Sequence, residues 1–179
     1  KKKIKVDIIV NNVGGTLGFN DPLMSIDKWR KVFHLNLEVA IEINSLFLKK
    51  MIKRKWGRIC HVSSIAGLEN QGPPSYCASK AALNAYVRSV GRYVSKNNIV
   101  MTAIMPGAIF CKDGYWDIKQ RTDIRGYKKY IKERMAIQRI GKTEEISELT
   151  LMLCSKISSF CAGTSLLVDG GQGKVFQNI

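Results

Sequence analysis

Tyr76 and Lys80 stand four residues apart in the run Ser75-Tyr76-Cys77-Ala78-Ser79-Lys80-Ala81-Ala82, so a helix there presents both on one face. Phenol, with a reference pKa of about 10, is a poor proton carrier near neutrality. A neighbouring ammonium favours the phenolate and lowers that pKa, which suits the pair to exchanging a proton with a carbonyl or alcohol oxygen. Taken alone, Tyr-x-x-x-Lys is a weak signal, because such pairs arise by chance on many helices. Upstream, Val62-Ser63-Ser64-Ile65-Ala66-Gly67 sets two hydroxyls at the end of an apolar run. Ser64, or Ser63 as the alternative, could hold a reacting oxygen while Tyr76 moves its proton.

These residues need rigid elements to hold them. Short apolar runs alternate with longer helix-period segments, which predicts parallel strands joined by helices, an α/β fold. Strands are expected at Val6–Val10, Arg58–Val62, Ile99–Met105 and Ser165–Val168. Helices are expected over about 27–54, 75–96 and 144–155, the last with Thr143 as N-cap. The chain reads as one domain over residues 1–179, with no repeat or linker. Residues 112–138, rich in Lys and Arg with Tyr115, Trp116, Tyr127 and Tyr130, fall between a strand end and a helix start. Ligands bind at that edge of a parallel sheet, so the segment is expected to be a substrate loop or a surface excursion.

Composition narrows the class. The 179 residues are 45% apolar, which is enough for a soluble core. No apolar run is long enough to cross a bilayer, and the basic start lacks the apolar stretch of a secretion signal. Five scattered cysteines without a CxxC pair fit free thiols and a cytoplasmic setting. The net charge of +15 is spread over solvated helical faces rather than gathered in a nucleic-acid motif. His34 and His61 lack neighbours at metal-ligand spacing, so no metal site is expected.

The order of these motifs resembles that of the short-chain dehydrogenase/reductase family over nearly the whole chain. Asn11-Asn12-Val13-Gly14 is similar to the family's Asn-Asn-Ala-Gly signature, and Asn36 falls at its helix asparagine. Ser64 matches the catalytic serine, and Tyr76-Cys77-Ala78-Ser79-Lys80 the Tyr-x-x-Ser-Lys motif. Pro106-Gly107, Arg139-Ile140-Gly141 and Val168-Asp169-Gly170-Gly171 follow in the family's order. The resemblance implies the C-terminal part of a doubly wound, Rossmann-like parallel sheet with flanking helices.

It also implies NAD or NADP as cofactor and hydride exchange with a ketone or secondary alcohol. Tyr76 would be the general acid or base. Lys80 would lower its pKa and bind the nicotinamide ribose, Ser64 would orient the substrate, and Asn36 would hold a relay water. Asn12, Gly14, Pro106, Gly107 and Ile109, with Tyr76 and Lys80, would meet the cofactor. Family members associate through the helices matching 27–54 and 75–96, so a homo-oligomer is expected, with no nucleic-acid or membrane partner. The basic segment suits an anionic substrate. Cys111 stands where the family usually has Thr, and Thr143 where it has Pro. The family's Gly-x-x-x-Gly-x-Gly motif is absent, so the chain is expected to be part of a longer enzyme. The alternative is a catalytically silent, truncated member acting only through assembly.

Overall fold

The computed structural model describes residues 5–175. Four parallel strands form its sheet: β1 (Ile8–Asn11), β2 (Gly57–Val62), β3 (Ile99–Pro106) and, last in the chain, Ser165–Val168, in that spatial order. The two inner strands are buried along nearly their whole length, as expected where helices cover both faces of a parallel sheet. β1, at the edge of the described sheet, alternates instead: Ile9 and Asn11 are buried, while Ile8 and Val10 are exposed.

One face is covered by α1 (Ile26–Phe33), α2 (Val39–Arg54) and α3 (Pro74–Ser95). Ile9, Ile59, Met101 and Ala103 of the sheet pack there against Met51 of α2 and Val87 and Val94 of α3. Between α1 and α2 the helix continues through a π turn at His34–Glu38, where the Val39 N–H reaches back to the His34 carbonyl. Asn36 lies in that turn, and its side-chain amide donates to the Val32 carbonyl at 2.9 Å. The side chain thus takes the acceptor that a regular helix would give to a backbone N–H, which favours the local widening.

α3 opens with Pro74 in its first turn, where a missing N–H costs nothing. Its buried positions are Ser75, Ser79, Lys80, Leu83, Val87, Gly91 and Val94. Apart from the adjacent Ser79 and Lys80, their spacing of three and four is one helical stripe, so the stride that buries Leu83 and Val87 also buries Lys80.

After β3 come a two-residue strand β4 (Ile109–Phe110), α4 (Tyr115–Thr122), α5 (Ile124–Arg134), β5 (Gly141–Lys142) paired with β4, α6 (Thr143–Leu153) and β6 (Ser165–Val168). Leu153 and Cys154 at the end of α6 pack on Cys60 and Ile104, on the sheet's other face. Two expectations need correction. Residues 112–138 fold as a helical hairpin, α4–α5, rather than a loop, with Trp116, Tyr127, Tyr130 and Ile131 packed on Ala108, Met135 and Ile140. Thr143 is the first residue of α6 and not its cap. Glu145, three residues beyond Lys142, accepts that residue's N–H at 2.8 Å, satisfying a donor the helix itself cannot.

Candidate active site

The three motif-bearing turns all leave the carboxyl ends of neighbouring strands, where open α/β sheets hold ligands. Asn12 follows β1, Ser63 and Ser64 follow β2, and Pro106-Gly107 closes β3. Around them lies a cavity of about 620 Å³, lined by Asn12, Ser63, Ser64, Tyr76, Pro106, Gly107 and Ile109 among others. A volume of that order suits a small-molecule site.

Ser64 and Ser63 are separated by what they touch. Ser63 Oγ turns to α3 and donates to the Lys80 carbonyl at 3.4 Å. Ser64 Oγ accepts the Ala66 N–H at 3.1 Å, and Ser64 lines the cavity with Tyr76. Both serines line the cavity, and the Ser63 hydroxyl is the one already engaged with α3.

Lys80 lies behind Tyr76, 2% exposed, its Nζ donating to the Val62 carbonyl at 2.8 Å. Burial without a carboxylate lowers its pKa to about 8. The Nζ stands 5.6 Å from the centroid of the Tyr76 ring. That arrangement alters the expected electrostatics. The Tyr76 pKa is raised above its ordinary value because burial outweighs the opposing influence of nearby Ser64, so in this structure the phenol is held as its protonated acid.

Asn36 and Lys80 meet at Gly14. A Cβ on Gly14 would lie 2.8 Å from Asn36 Oδ1 and 3.1 Å from Lys80 Nζ, closer than packed atoms allow. Asn36 Oδ1 accepts the Gly15 N–H at 3.0 Å, and its amide donates to the Gly15 carbonyl at 2.8 Å as well as to Val32. Its side chain thus ties the turn after β1 to the π turn. Gly14, Asn36 and Lys80 do not line the cavity, whereas Tyr76, Ser64, Asn12, Pro106, Gly107 and Ile109 do.

Cys111, Trp116 and Thr143, already named from the sequence, also line the cavity, and Ile146, Ser147 and Thr150 of α6 join them without having been picked out beforehand. The spacing of Thr143, Ser147 and Thr150 is one helical face, a signal that was readable. A buried polar chain was also missed: Asn11 donates to Asn44 at 3.0 Å, and the Asn44 amide contacts His61 Nε2 at 2.9 Å and the Tyr86 hydroxyl at 3.1 Å. His34, by contrast, is exposed and pairs with Glu38 at 3.0 Å. Among the described residues no cluster of His, Cys, Asp and Glu could hold a metal, and no helix is long and apolar enough to cross a membrane.

A family model described as enoyl-(acyl carrier protein) reductase matches residues 1–172. The chain belongs to the short-chain dehydrogenase/reductase family. Within the family it is 32% identical over 172 residues to a 3-oxoacyl-[acyl-carrier-protein] reductase of Aquifex aeolicus, covering 93% of this chain and 65% of that protein. It is 29% identical over 169 residues to the acetoacetyl-CoA reductase of an Acinetobacter species, again over 93% of this chain and 65% of the relative. The fold superposes with a TM-score of 0.86 on an NADP-bound 3-oxoacyl (acyl-carrier-protein) reductase from Agrobacterium tumefaciens, at 26% identity over 93% of this chain and 64% of that one. The chain therefore spans about two thirds of the length of these short-chain dehydrogenase/reductases.

Proposed function

We propose that the protein is an oxidoreductase that exchanges a hydride between NAD or NADP and a ketone or secondary alcohol. Tyr76 is its general acid in reduction and its general base in oxidation. The observation that carries this reading is the convergence of Tyr76, Ser64 and the Pro106–Ile109 backbone on one cavity, with Lys80 behind Tyr76. Ser64 steadies the substrate oxygen, and the Tyr76 proton passes to that oxygen as it becomes an alcohol. Lys80 uses one of its three N–H donors on the Val62 carbonyl, leaving two for the ribose hydroxyls.

The residues present fit the nicotinamide end of such a cofactor. Pro106, Gly107 and Ile109 line the cavity, and Asn12 closes it from β1. When bound, the nicotinamide supplies or accepts the hydride. Relatives named as reductases of acyl thioesters and the exposed Arg125, Lys128, Lys129 and Lys132 of α5 support an anionic carbonyl substrate. Exposed Ile41 and Leu46 on α2 and Tyr93 on α3 support a homo-oligomer built on these helices. Five cysteines, none in a disulfide, support a reducing, cytoplasmic setting.

The test is Tyr76→Phe in the intact protein, assayed by NADH or NADPH oxidation with 3-ketoacyl thioesters and simple ketones. Turnover should fall about 100-fold or more, because the transferable proton is lost while packing is kept. Unchanged turnover would overturn the reading.

A further inference from the structure

Gln172 sits in the turn that follows β6 and is 4% exposed. Its side chain joins three other segments. Oε1 accepts the Ala108 N–H at 2.7 Å, directly after the Pro106-Gly107 backbone that faces the cavity. Nε2 donates to the Tyr130 hydroxyl of α5 at 2.8 Å and to Gln71 Oε1, in the loop between Ser64 and Tyr76, at 3.3 Å. Only an amide offers one acceptor and two donors at such a junction. The Tyr130 ring in turn lies 4.3 Å, centroid to centroid, from that of Trp116, which lines the cavity.

The surroundings hold Gln172 in place. Asp169 accepts the Gly171 N–H at 3.0 Å and the Gly173 N–H at 2.7 Å. Glu69 accepts the N–H groups of Lys174 and Val175 at 2.6 and 3.1 Å. The α4–α5 hairpin, by contrast, buries no residue within either helix. It is seated by half-buried aromatics and by the Tyr130 tie, so it belongs to the least stable part of the molecule.

We propose that Gln172 is a positioning residue that couples the seating of the α4–α5 hairpin to the backbone at Gly107–Ala108. The wall over the cavity and the backbone facing the nicotinamide are then set together. This rests on the cavity being the oxidoreductase site proposed above. Loss of the hairpin's tie loosens the Gly107–Ala108 backbone, although α5 and that backbone are distant in sequence.

Hydrogen exchange in the intact protein tests the coupling with Tyr130→Phe, Gln172→Met and the double variant. Tyr130→Phe keeps the ring on Trp116 and removes only the acceptor. It should speed exchange over Tyr115–Arg134 roughly fivefold, what one lost hydrogen bond gives, and speed exchange at Ala108 as well. Gln172→Met should free both regions, and the double variant should do no more than Gln172→Met alone. In turnover, Tyr130→Phe should raise KM for both nicotinamide and carbonyl substrate a few-fold, with kcat nearly held. Exchange confined to residues 107–110 in Gln172→Met, additive effects, or a uniform rise that includes β2 and β3 would each overturn the proposal. Because exchange is read without turnover, an inactive site would leave this result standing, so the two readings fail separately.

Discussion

His61 makes the fold sensitive to acid by a calculable amount. Its ring is fully buried on β2, with Nδ1 3.1 Å from the Thr102 carbonyl and Nε2 2.9 Å from the Asn44 amide. That pairing fits a neutral ring with its proton on Nδ1, so a second proton on Nε2 would face the Asn44 amide hydrogens. Burial, helped by the charge of Lys80, lowers the pKa from 6.5 to about 4, against the Thr102 carbonyl, which favours the cation. Because the folded pKa is the lower one, the unfolded chain binds the proton first. Stability from this group is complete above about 6.5 and is lost as pH falls toward 4. Between pH 7.5 and 4.5 the loss comes to about 2 to 3 kcal/mol, from about 1.4 kcal/mol per pH step below the unfolded pKa. Denaturant unfolding at those two pH values, on wild type and His61→Gln, isolates it. The Gln amide can accept from Asn44 and donate to Thr102 without titrating, so the variant should lose about 2 to 3 kcal/mol less than wild type on acidification. Parallel losses in the two proteins would refute the assignment of a neutral, buried His61.

Three further outcomes are expected. Gly14→Ala should cut turnover tenfold or more and lower stability as well, because its Cβ would press on buried Asn36 Oδ1 and Lys80 Nζ; unchanged kinetics would contradict it. Gly91→Ala should destabilise the fold by roughly 1 to 3 kcal/mol although alanine favours helix. The new Cβ would stand 2.8 Å from the Gly163 backbone, and a rise in melting temperature would contradict this. Above pH about 8, where buried Lys80 gives up its charge, KM for the nicotinamide cofactor should rise, and a flat profile from pH 7 to 9 would count against its ribose contact.

Much of the scaffold was legible because it is written in local patterns. The four strands are short apolar runs bounded by Gly, Pro or Asn, and the stripe of α3 gives both its length and its buried side. The α4–α5 hairpin was not legible. Gly114 and Gly126 interrupt residues 112–138, and these helices lie on Ala108, Met135 and Ile140 through aromatics rather than a regular apolar face. The polar chain from Asn11 through Asn44 to His61 and Tyr86 was invisible for another reason, since its members come from four separate elements and pair only once the sheet is assembled. The site positions were readable as a series of motifs, but the direction of the Tyr76 shift was not. A neighbouring lysine in the sequence argued for a lowered pKa, and only burial, a tertiary property, decides that it is raised.

That reversal bears on which way the proposed chemistry runs. Burial pushes the two groups in opposite senses, Tyr76 up and Lys80 down to about 8. Near neutrality the pair therefore rests as a neutral phenol beside a charged ammonium. Reduction of a carbonyl needs that phenol as a proton donor, and the Lys80 ammonium stands behind the phenolate that the transfer leaves. Oxidation of an alcohol must first remove the phenolic proton, which the same burial makes costly. In the proposed reaction the resting phenol is the form that reduction uses, and the oxidative rate should climb as pH rises. Lys80 lies in the buried stripe of α3 and Tyr76 stands on the same helix at the cavity, so the packing of that one helix sets both shifts.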